Sequence, residues 1–418
     1  MPAPYDVAII GCGRVGLPLA LAFADRGLSV LGVDNDPERL AVVRAGRMPF
    51  EEPGAQPVLD RVRVDWSEHA SDAAQADAIV LTLGTPSFSH IEIDMRDVRS
   101  VLDDLLPLLR PDHLLVLRST IAPGTTDFVA GYLAKKRGLV AGEDVAVAHV
   151  PERIAAGRFF EEIGSLPCIV GGVGERSGEA AGRLFEPLGA PVVQTTPIAA
   201  ELAKIWTNIL RYAMFALPNR LMMECEQHGA NVFEVIDLIN RDYPRGGMPA
   251  PGFTAGTCLR KDFTFSEERS PAPGMLLAVS RVHESVPLFF VEGLKRRLGP
   301  LAGRKVAVLG LAFKADTDDD RDSLSHKLVR LLERELADVA VHDPHVATPT
   351  ASLEEVVTDA DAVVIATNHA AFQGPGPLRA IAERARPDAV IADPWDSFGA
   401  AQVFAPAAEV AALTGVEL

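Results

Sequence analysis

Apolar positions come in short blocks along the first third of the chain. Residues 6–36, "DVAIIGCGRVGLPLALAFADRGLSVLGVDND", read as a strand, a tight glycine turn, an amphipathic helix and a second strand. "ADAIVLTLGTPS", "HLLVLRSTIAPGTT" and "DVAVAHVPERI" are further apolar strands, each ending in a polar or proline turn. That alternation predicts a parallel sheet with crossover helices. From about Thr196 to Gly229 the pattern becomes one long helical stretch, and "GMLLAVSRVHESVPLFFVEGLKRRL" predicts a second. "GRKVAVLGLAFKADT", "ADVAVHDP", "DAVVIATN" and "DAVIADP" then restore the strand-and-turn rhythm. The expected layout is α/β, a helical middle, and α/β again, the two α/β parts alike in rhythm without any short repeat.

Composition narrows the function. The chain has 418 residues, enough for two or three domains, with 48% hydrophobic and 23% charged residues, a balance ordinary for globular proteins. A net charge of -17 argues against nucleic acid, whose phosphates want a basic face, yet leaves room for a small anion held by a few concentrated Lys and Arg. The first strand begins at "YDVAII", so no signal peptide is expected, and no apolar run is long enough to span a bilayer. Cys12, Cys168, Cys225 and Cys258 show no CxxC spacing, so neither a zinc site nor a disulfide framework is suggested. No metal is expected, and a reducing cytoplasm fits.

Four features carry chemistry. In "GCGRVG", Gly11, Gly13 and Gly16 stand between a strand and a helix, the context in which glycines let a pyrophosphate approach the helix N-terminus. Asp34 ends the next strand, where a carboxylate would bond a ribose 2′-hydroxyl and repel a 2′-phosphate, which favours NAD over NADP. Arg39 stands near enough to tolerate phosphate. The bland reading is a turn whose glycines serve packing only. On the long helix, Glu201, Lys204, Asn208 and Arg211 recur at spacings of three and four, while Leu202, Ile205, Ile209 and Phe215 serve other faces. Such a stripe is either a solvated face or, in a helix this apolar, a buried polar line in which Glu201 is a candidate partner for Lys204.

Glu152 in "HVPERI" and Thr120 in "RSTIAPGTT" follow strand ends, where open parallel sheets bind ligands; turn chemistry around Pro151 and Pro123 is the alternative. "FKADTDDDRDS" alternates Asp316, Asp318 and Asp320 like a calcium loop, but Arg321 stands where the turn glycine belongs and Lys327 where the closing glutamate belongs. Lys314 and Arg321 then read as anion ligands beyond a strand, or as part of a solvated acidic loop. In "PGFTAGTCLRKDF", Pro251, Gly252 and Gly256 surround Cys258, which reads as a reactive thiol in a mobile loop, since structural cysteines are normally buried and inert.

"GCGRVGLPLA", "RSTIAPGTT", "PERIAAG", "ELAKIWTN", "PGFTAGTCLRKD" and "VAVLGLAFKADTDDDRDS" stand together in an order and spacing that resemble the UDP-glucose/GDP-mannose dehydrogenase family of nucleotide-sugar 6-dehydrogenases, almost end to end. The resemblance implies two Rossmann-like doubly wound domains joined by a long-helix centre: NAD binding in residues 1–196, dimerisation and catalysis in 197–300, and UDP-sugar binding in 301–418. It implies a four-electron oxidation of the sugar C6 alcohol to a carboxylate with NAD, as in polysaccharide biosynthesis, by a cytoplasmic homodimer.

Roles follow by position. Cys258 aligns with the family's nucleophile, Lys204 and Asn208 with groups that stabilise the C6 oxyanion, and Asp262 with a residue that positions water or takes a proton. Glu152 aligns with the glutamate that activates water against a thioester, and Thr120 with a threonine orienting water and cofactor. The cofactor set implied is Gly11, Gly13, Arg14, Val15, Gly16, Asp34, Arg39, Thr85, Thr120 and Arg321. Substrate contacts implied are Glu152, Arg153, Lys204, Asn208, Arg211, Phe253, Gly256 and Lys314, with Arg245 reaching in from the second subunit.

Ala156 stands where UDP-glucose enzymes carry a second glutamate, while Arg153 and "YPR" before "PGxTxGxC" resemble the branch acting on UDP-N-acetylhexosamines. Ala255-Gly256-Thr257 departs from that branch's usual Gly-Gly before the cysteine. UDP-N-acetylmannosamine is the best expectation; UDP-N-acetylglucosamine, UDP-glucose or another UDP- or GDP-sugar is the alternative. A two-electron hydroxyacid dehydrogenase would need no cysteine, and an NAD-binding protein without catalysis would need none of these side chains together.

Overall fold

A computed structural model describes residues 3–84, 96–254, 256–267, 270 and 272–416. The chain divides into two compact units, Met1–Thr207 with Thr264–Arg269, and Asn208–Phe263 with Ser270–Leu418.

In the first unit, strands β1 (Tyr5–Ile10), β2 (Val30–Val33), β3 (Asp65–Ser67), β4 (Ala76–Leu81), β5 (Leu114–Leu117), β6 (Ala146–His149), β7 (Cys168–Gly172) and β8 (Val192–Thr195) form one sheet in the order β3-β2-β1-β4-β5-β6-β7-β8. Val7 to Ile10 pair with β2 on one side and β4 on the other, all parallel. Both faces of β1 are covered: Ala8 and Ile10 belong to one apolar cluster, Val7 and Ile9 to another, which is why the central strands are continuous apolar runs rather than alternating ones. The order reverses between β1 and β4, and that is where an open sheet offers its crevice. The parallel expectation has one exception in this sheet: β6 and β7 run antiparallel through Ala148–Gly172 and His149–Gly171.

The second unit contains β9 (Lys305–Leu309), β10 (Asp338–His342), β11 (Ala362–Ile365), β12 (Val390–Ala392) and β13 (Phe404–Pro406), ordered β10-β9-β11-β12-β13, parallel except for β12 with β13. Five helices matter below: α1 (Gly16–Asp25), α2 (Thr125–Arg137), α3 (Pro197–His228), α4 (Thr257–Glu267) and α5 (Met275–Leu298). α3 and α5 match the two long helices predicted. α3 supplies residues to both units, the division falling between Thr207 and Asn208.

The start of α3 buries charge and exposes apolar side chains. Glu201 and Lys204, in its first turns, are buried, while Arg220 and Glu224 farther along are exposed. Ile198, Leu202, Trp206, Leu210, Met214 and Leu217, spaced three or four apart, are exposed by 39–61%. Spacing of this kind puts them on one face.

Candidate active site

The glycine turn after β1 is shaped by backbone proximity. Gly11 has φ +97°, and a Cβ on Gly16 would lie 2.0 Å from the Gly11 carbonyl oxygen. A Cβ on Gly13 would meet nothing within 4 Å, so the turn presents bare backbone to open space there. Val15 precedes α1 without a capping side chain and no acid occupies the first turn, so no side chain occupies the helix start in place of an anion. Thr82 Oγ1 donates to the carbonyls of Gly11 (2.7 Å) and Ile10 (3.0 Å), fixing the turn against β4. Asp34, 4% exposed at the end of β2, accepts from the Cys12 N–H at 2.7 Å and so stands against the same turn. Arg39 is not a loose cation: its Nη1 lies 2.8 Å from Asp34, and Nη2 3.0 Å from Asp36. Arg14 packs over the Phe50 ring. A glycine turn open at Gly13 and leading into a helix, with a carboxylate beside it, fits a dinucleotide's pyrophosphate and ribose. Thr85 lies outside the described residues.

The ends of β5 and β6 bring Arg118 together with His149 and Glu152, which lie more than thirty residues further along the chain. The Arg118 guanidinium, 4% exposed, donates through Nη2 to Glu152 Oε2 in a short contact and through Nη1 to the Val150 carbonyl at 3.3 Å, and its plane covers the Phe185 ring at 5.0 Å. Glu152 Oε1 accepts the Ile154 N–H at 2.7 Å. Arg153 does not join them; it donates to the Pro167 carbonyl at 2.5 Å. Thr120 is half-buried in the turn that follows β5. His149 is fully buried, and its Nδ1 lies 2.9 Å from the Leu117 carbonyl, which makes Nδ1 the protonated nitrogen. Burial pushes its pKa down from 6.5 to about 4, with Arg118 and Lys204 adding to the effect, so the ring is neutral at physiological pH.

Glu201 is not spent on Lys204. Its carboxylate accepts from the Gly124 N–H (2.6 Å), the Thr126 N–H (2.8 Å) and the Thr126 hydroxyl (2.6 Å), which caps the start of α2. Lys204, 8% exposed, is therefore a buried cation whose charge is not neutralised by its neighbour one turn away.

In the second unit, Cys258 is not in a loop. It is exposed in the first turn of α4, because the chain leaves its extended stretch at Gly256 and turns helical at Thr257. Gly256 has φ +100°, and a Cβ there would press to 2.5 Å from the Phe313 ring, so the approach is closed to any other residue. Upstream, the buried Asn219 side chain of α3 bonds both the N–H (2.8 Å) and the carbonyl (2.9 Å) of Gly252. Arg260 donates to the Asp322 carbonyl at 3.1 Å and pairs with Glu284 at 2.7 Å. The cysteine thus stands on an anchored element rather than a mobile one. One turn on, Asp262 is fully buried and accepts from Asn208 Nδ2 at 2.6 Å, and Lys261 Nζ lies 3.9 Å from its other oxygen.

The remaining predicted residues divide. Phe253 is a core side chain, 3% exposed and packed on Phe290 with ring centres 5.0 Å apart. Arg211 lies over Phe215, and Arg245 is exposed, its Nε donating to the Tyr243 hydroxyl at 2.9 Å. Lys314 is half-buried in the turn after β9. Arg321 grips Asp319 through Nε (2.8 Å) and Nη2 (2.7 Å); that pair raises its pKa, with a smaller electrostatic contribution from Cys258. Asp316 meets histidines: His345 at 3.6 Å and His369 at 3.7 Å. The His369 ring is already committed, Nδ1 to the Asp316 N–H (2.8 Å) and Nε2 to Asp343 (3.0 Å).

Sequence reasoning passed over Arg118, His149 and Asn219. For the first two a signal was present, a polar residue directly ending an apolar strand.

Known proteins match the chain along most of its length. The NAD-binding domain of the UDP-glucose/GDP-mannose dehydrogenase family matches residues 5–189, its central domain 198–283 and its UDP-binding domain 307–399. UDP-N-acetyl-D-mannosamine dehydrogenase of Pyrococcus horikoshii is 32% identical over 384 residues, covering 88% of this chain and 90% of that protein. NDP-N-acetyl-D-galactosaminuronic acid dehydrogenase of Ralstonia solanacearum is 30% identical, covering 88% and 91%. The solved structure of the UDP-D-ManNAc dehydrogenase from Pyrococcus horikoshii superposes with a TM-score of 0.86 at 31% identity, over 93% of this chain and 94% of that one.

The chain belongs to the UDP-glucose/GDP-mannose dehydrogenase family. It is a nucleotide-sugar dehydrogenase that works with NAD and carries a UDP-binding domain. Among the described residues no helix is long and apolar enough to cross a membrane.

Proposed function

We propose that this enzyme oxidises the C6 alcohol of a UDP-N-acetylhexosamine, UDP-N-acetylmannosamine for preference, to the uronic acid through a covalent intermediate on Cys258. The observation that carries the reading is the α4 start: an exposed thiol in a helix first turn, with a buried carboxylate one turn deeper held by an asparagine. Helix N-termini favour thiolate, and a solvent-facing sulfur is free to attack. The relatives named for UDP-N-acetyl-D-mannosamine support the substrate.

We assign residues 1–196 to NAD binding, 197–300 to the catalytic and dimerising centre and 301–418 to the UDP-sugar. The cofactor is held by Gly11, Gly13, Arg14, Val15, Gly16 and Asp34, with Arg39, Thr85, Thr120 and Arg321 contributing. When bound, NAD supplies the hydride acceptor for both oxidations. Lys204 and Asn208 stabilise the C6 oxygen as its hydroxyl proton leaves, and Asp262 takes or relays that proton. The Cys258 thiolate adds to the aldehyde carbon and forms a thiohemiacetal, whose remaining C–H is the second hydride source. Its loss leaves a thioester at Cys258. Glu152 then removes a proton from water, hydroxide adds to the thioester carbon, and the thiolate departs from the carboxylate product. Arg153, Arg211, Gly256 and Lys314 bind the substrate, and Phe253 contributes through its backbone.

The working unit is a homodimer, α3 giving its apolar face to a second copy and Arg245 entering the partner's site, in the cytoplasm. A stripe of six large apolar side chains left open to water supports the assembly.

A panel of UDP- and GDP-sugars assayed for NADH tests the reading. Two NADH per UDP-N-acetylmannosamine consumed are expected. One NADH with a stable aldehyde would overturn it. In Cys258→Ser, nearly complete loss of turnover and a covalent adduct at residue 258, detected by intact-protein mass spectrometry, are expected; turnover at the wild-type rate would make the cysteine structural.

A further inference from the structure

The Arg118–Glu152 pair has features that stability alone does not require. Arg118 follows β5, its side chain is 4% exposed, and its guanidinium forms an ion pair with the Glu152 carboxylate. Nη1 is spent on the Val150 carbonyl, two residues before Glu152, and Nη2 on Glu152 itself. The same side chain therefore fixes both the backbone that delivers the glutamate and the glutamate's own oxygen. The Ile154 N–H holds the other oxygen at 2.7 Å. Each carboxylate oxygen has two lone-pair directions, so one on each remains outside these bonds, and with both oxygens pinned those directions are fixed in space. A base that must meet one water on one thioester carbon needs that constraint, because misplacing it costs as much as removing it.

The arginine is also poorly served as a structural element. Its Nε–H is buried with no hydrogen-bond partner among the described residues. Leaving a buried donor unpaired is destabilising, and a guanidinium kept solely for stability would use its whole fork. Departures from local self-consistency of this kind concentrate where a residue serves a site.

We propose that Arg118 is a positioning residue for the hydrolytic half of the reaction: it holds the Glu152 carboxylate where water is delivered to the Cys258 thioester, and takes no part in the two oxidations. The proposal rests on the reading above in which Glu152 activates that water.

The test is a rapid-mixing experiment on the full-length enzyme with excess NAD and UDP-N-acetylmannosamine. It follows NADH release, with acid-quenched intact mass at intervals. In Arg118→Met the expected result is a burst of two NADH per site at near the wild-type rate, then a steady state slower by roughly 100-fold, the scale of a lost general base, with thioester accumulating on Cys258. kcat/KM for the sugar should stay within about twofold while KM falls with kcat, since only the step after the oxidations is slowed. Arg118→Lys, which keeps the charge without the fork, should recover part of the steady-state rate and show less thioester. If Arg118→Met does not fold, the lysine variant is read alone, and an intact burst with some thioester is still expected. Equal slowing of burst and steady state in either variant, or a wild-type steady state without thioester, would overturn the proposal. Glu152→Gln separates the two claims. If it turns over normally, the role given to Glu152 fails. If it accumulates thioester while the Arg118 variants do not, the glutamate's role stands and only that of Arg118 fails.

Discussion

Asn208 donates its side-chain N–H to Asp262 across 2.6 Å, joining α3 to α4 one turn beyond the exposed Cys258 thiol. Asp262 is fully buried, so the bond sits where an unsatisfied carboxylate is expensive. Asn208→Leu should lower stability by about 1–3 kcal/mol and kcat by more than it raises KM. Asn208→Asp sets two carboxylates against one another. They can coexist only by sharing a proton, so residual activity should rise as pH falls from 8 toward 6, opposite to the wild type. A pH–rate profile of the two enzymes checks this, and parallel profiles would show that the pair does not act as a unit.

Cofactor choice should follow Asp34. Arg39, a cation that would welcome a 2′-phosphate, is held by Asp34 and Asp36, two carboxylates against one guanidinium. NAD should exceed NADP in kcat/KM by at least about 100-fold, since a close like-charge contact costs several kcal/mol. Asp34→Ser releases Arg39 and should narrow that ratio by about tenfold or more. Steady-state kinetics with both cofactors decides it, and an unchanged ratio in Asp34→Ser would mean that the carboxylate does not set the preference.

Acid should loosen the first unit before the second. His149 titrates at about 4 when folded against 6.5 ordinarily, so below pH 6.5 the unfolded chain binds the extra proton, and folding loses roughly 3 kcal/mol by pH 4. His113, in the same unit, is displaced in the same direction by burial. In the second unit His283, also at about 4, acts alike, but burial pushes Asp393 up to about 6. There the folded state binds the extra proton between 3.8 and 6, and stability rises on acidification, offsetting the histidine. Hydrogen exchange by mass spectrometry at pH 7 and pH 5 should show protection falling in peptides of residues 5–195 more than in those of 300–410. Equal loss in both would contradict the assignment.

Assembly should depend on the exposed face of α3. Leu210 and Leu217, each about 60% open to water, are the most exposed members of the stripe. Leu210→Glu with Leu217→Glu should yield a monomer by size-exclusion chromatography with light scattering and, because Arg245 is proposed to act across the dimer, little activity. A fully active monomer would remove Arg245 from the mechanism.

Much of this was legible in the chain. The glycine turn and Asp34 declare themselves because the contacts they need are local, within about two dozen residues. α3 and α5 are long enough for their periodicity to be read to within a residue or two. Cys258 read as loop because Gly252, Gly256 and the charged "LRKD" carry no helical stripe; α4 forms because Asp262, Phe263 and Phe265 find burial through tertiary contacts. The Glu201 partner was illegible for a similar reason, since Gly124 and Thr126 lie more than seventy residues away. Phe253 shows the limit of position alone: a side chain next to a site can belong to the core.

The two α/β halves place a carboxylate at the same point, Asp34 after β2 and Asp343 after β10, each bonded to the turn after its central strand. Their partners differ in how readily they can be exchanged. Asp34 gives part of its capacity to Arg39, a half-exposed side chain that a ribose hydroxyl can displace. Asp343 accepts the backbone N–H groups of Leu311, Ala312, His345 and Val346 together with the buried His369, none of which can step aside without unfolding the turn. Of the two alike halves only the first should take a dinucleotide: titration calorimetry should count one NAD per chain, not two, however high the concentration is taken.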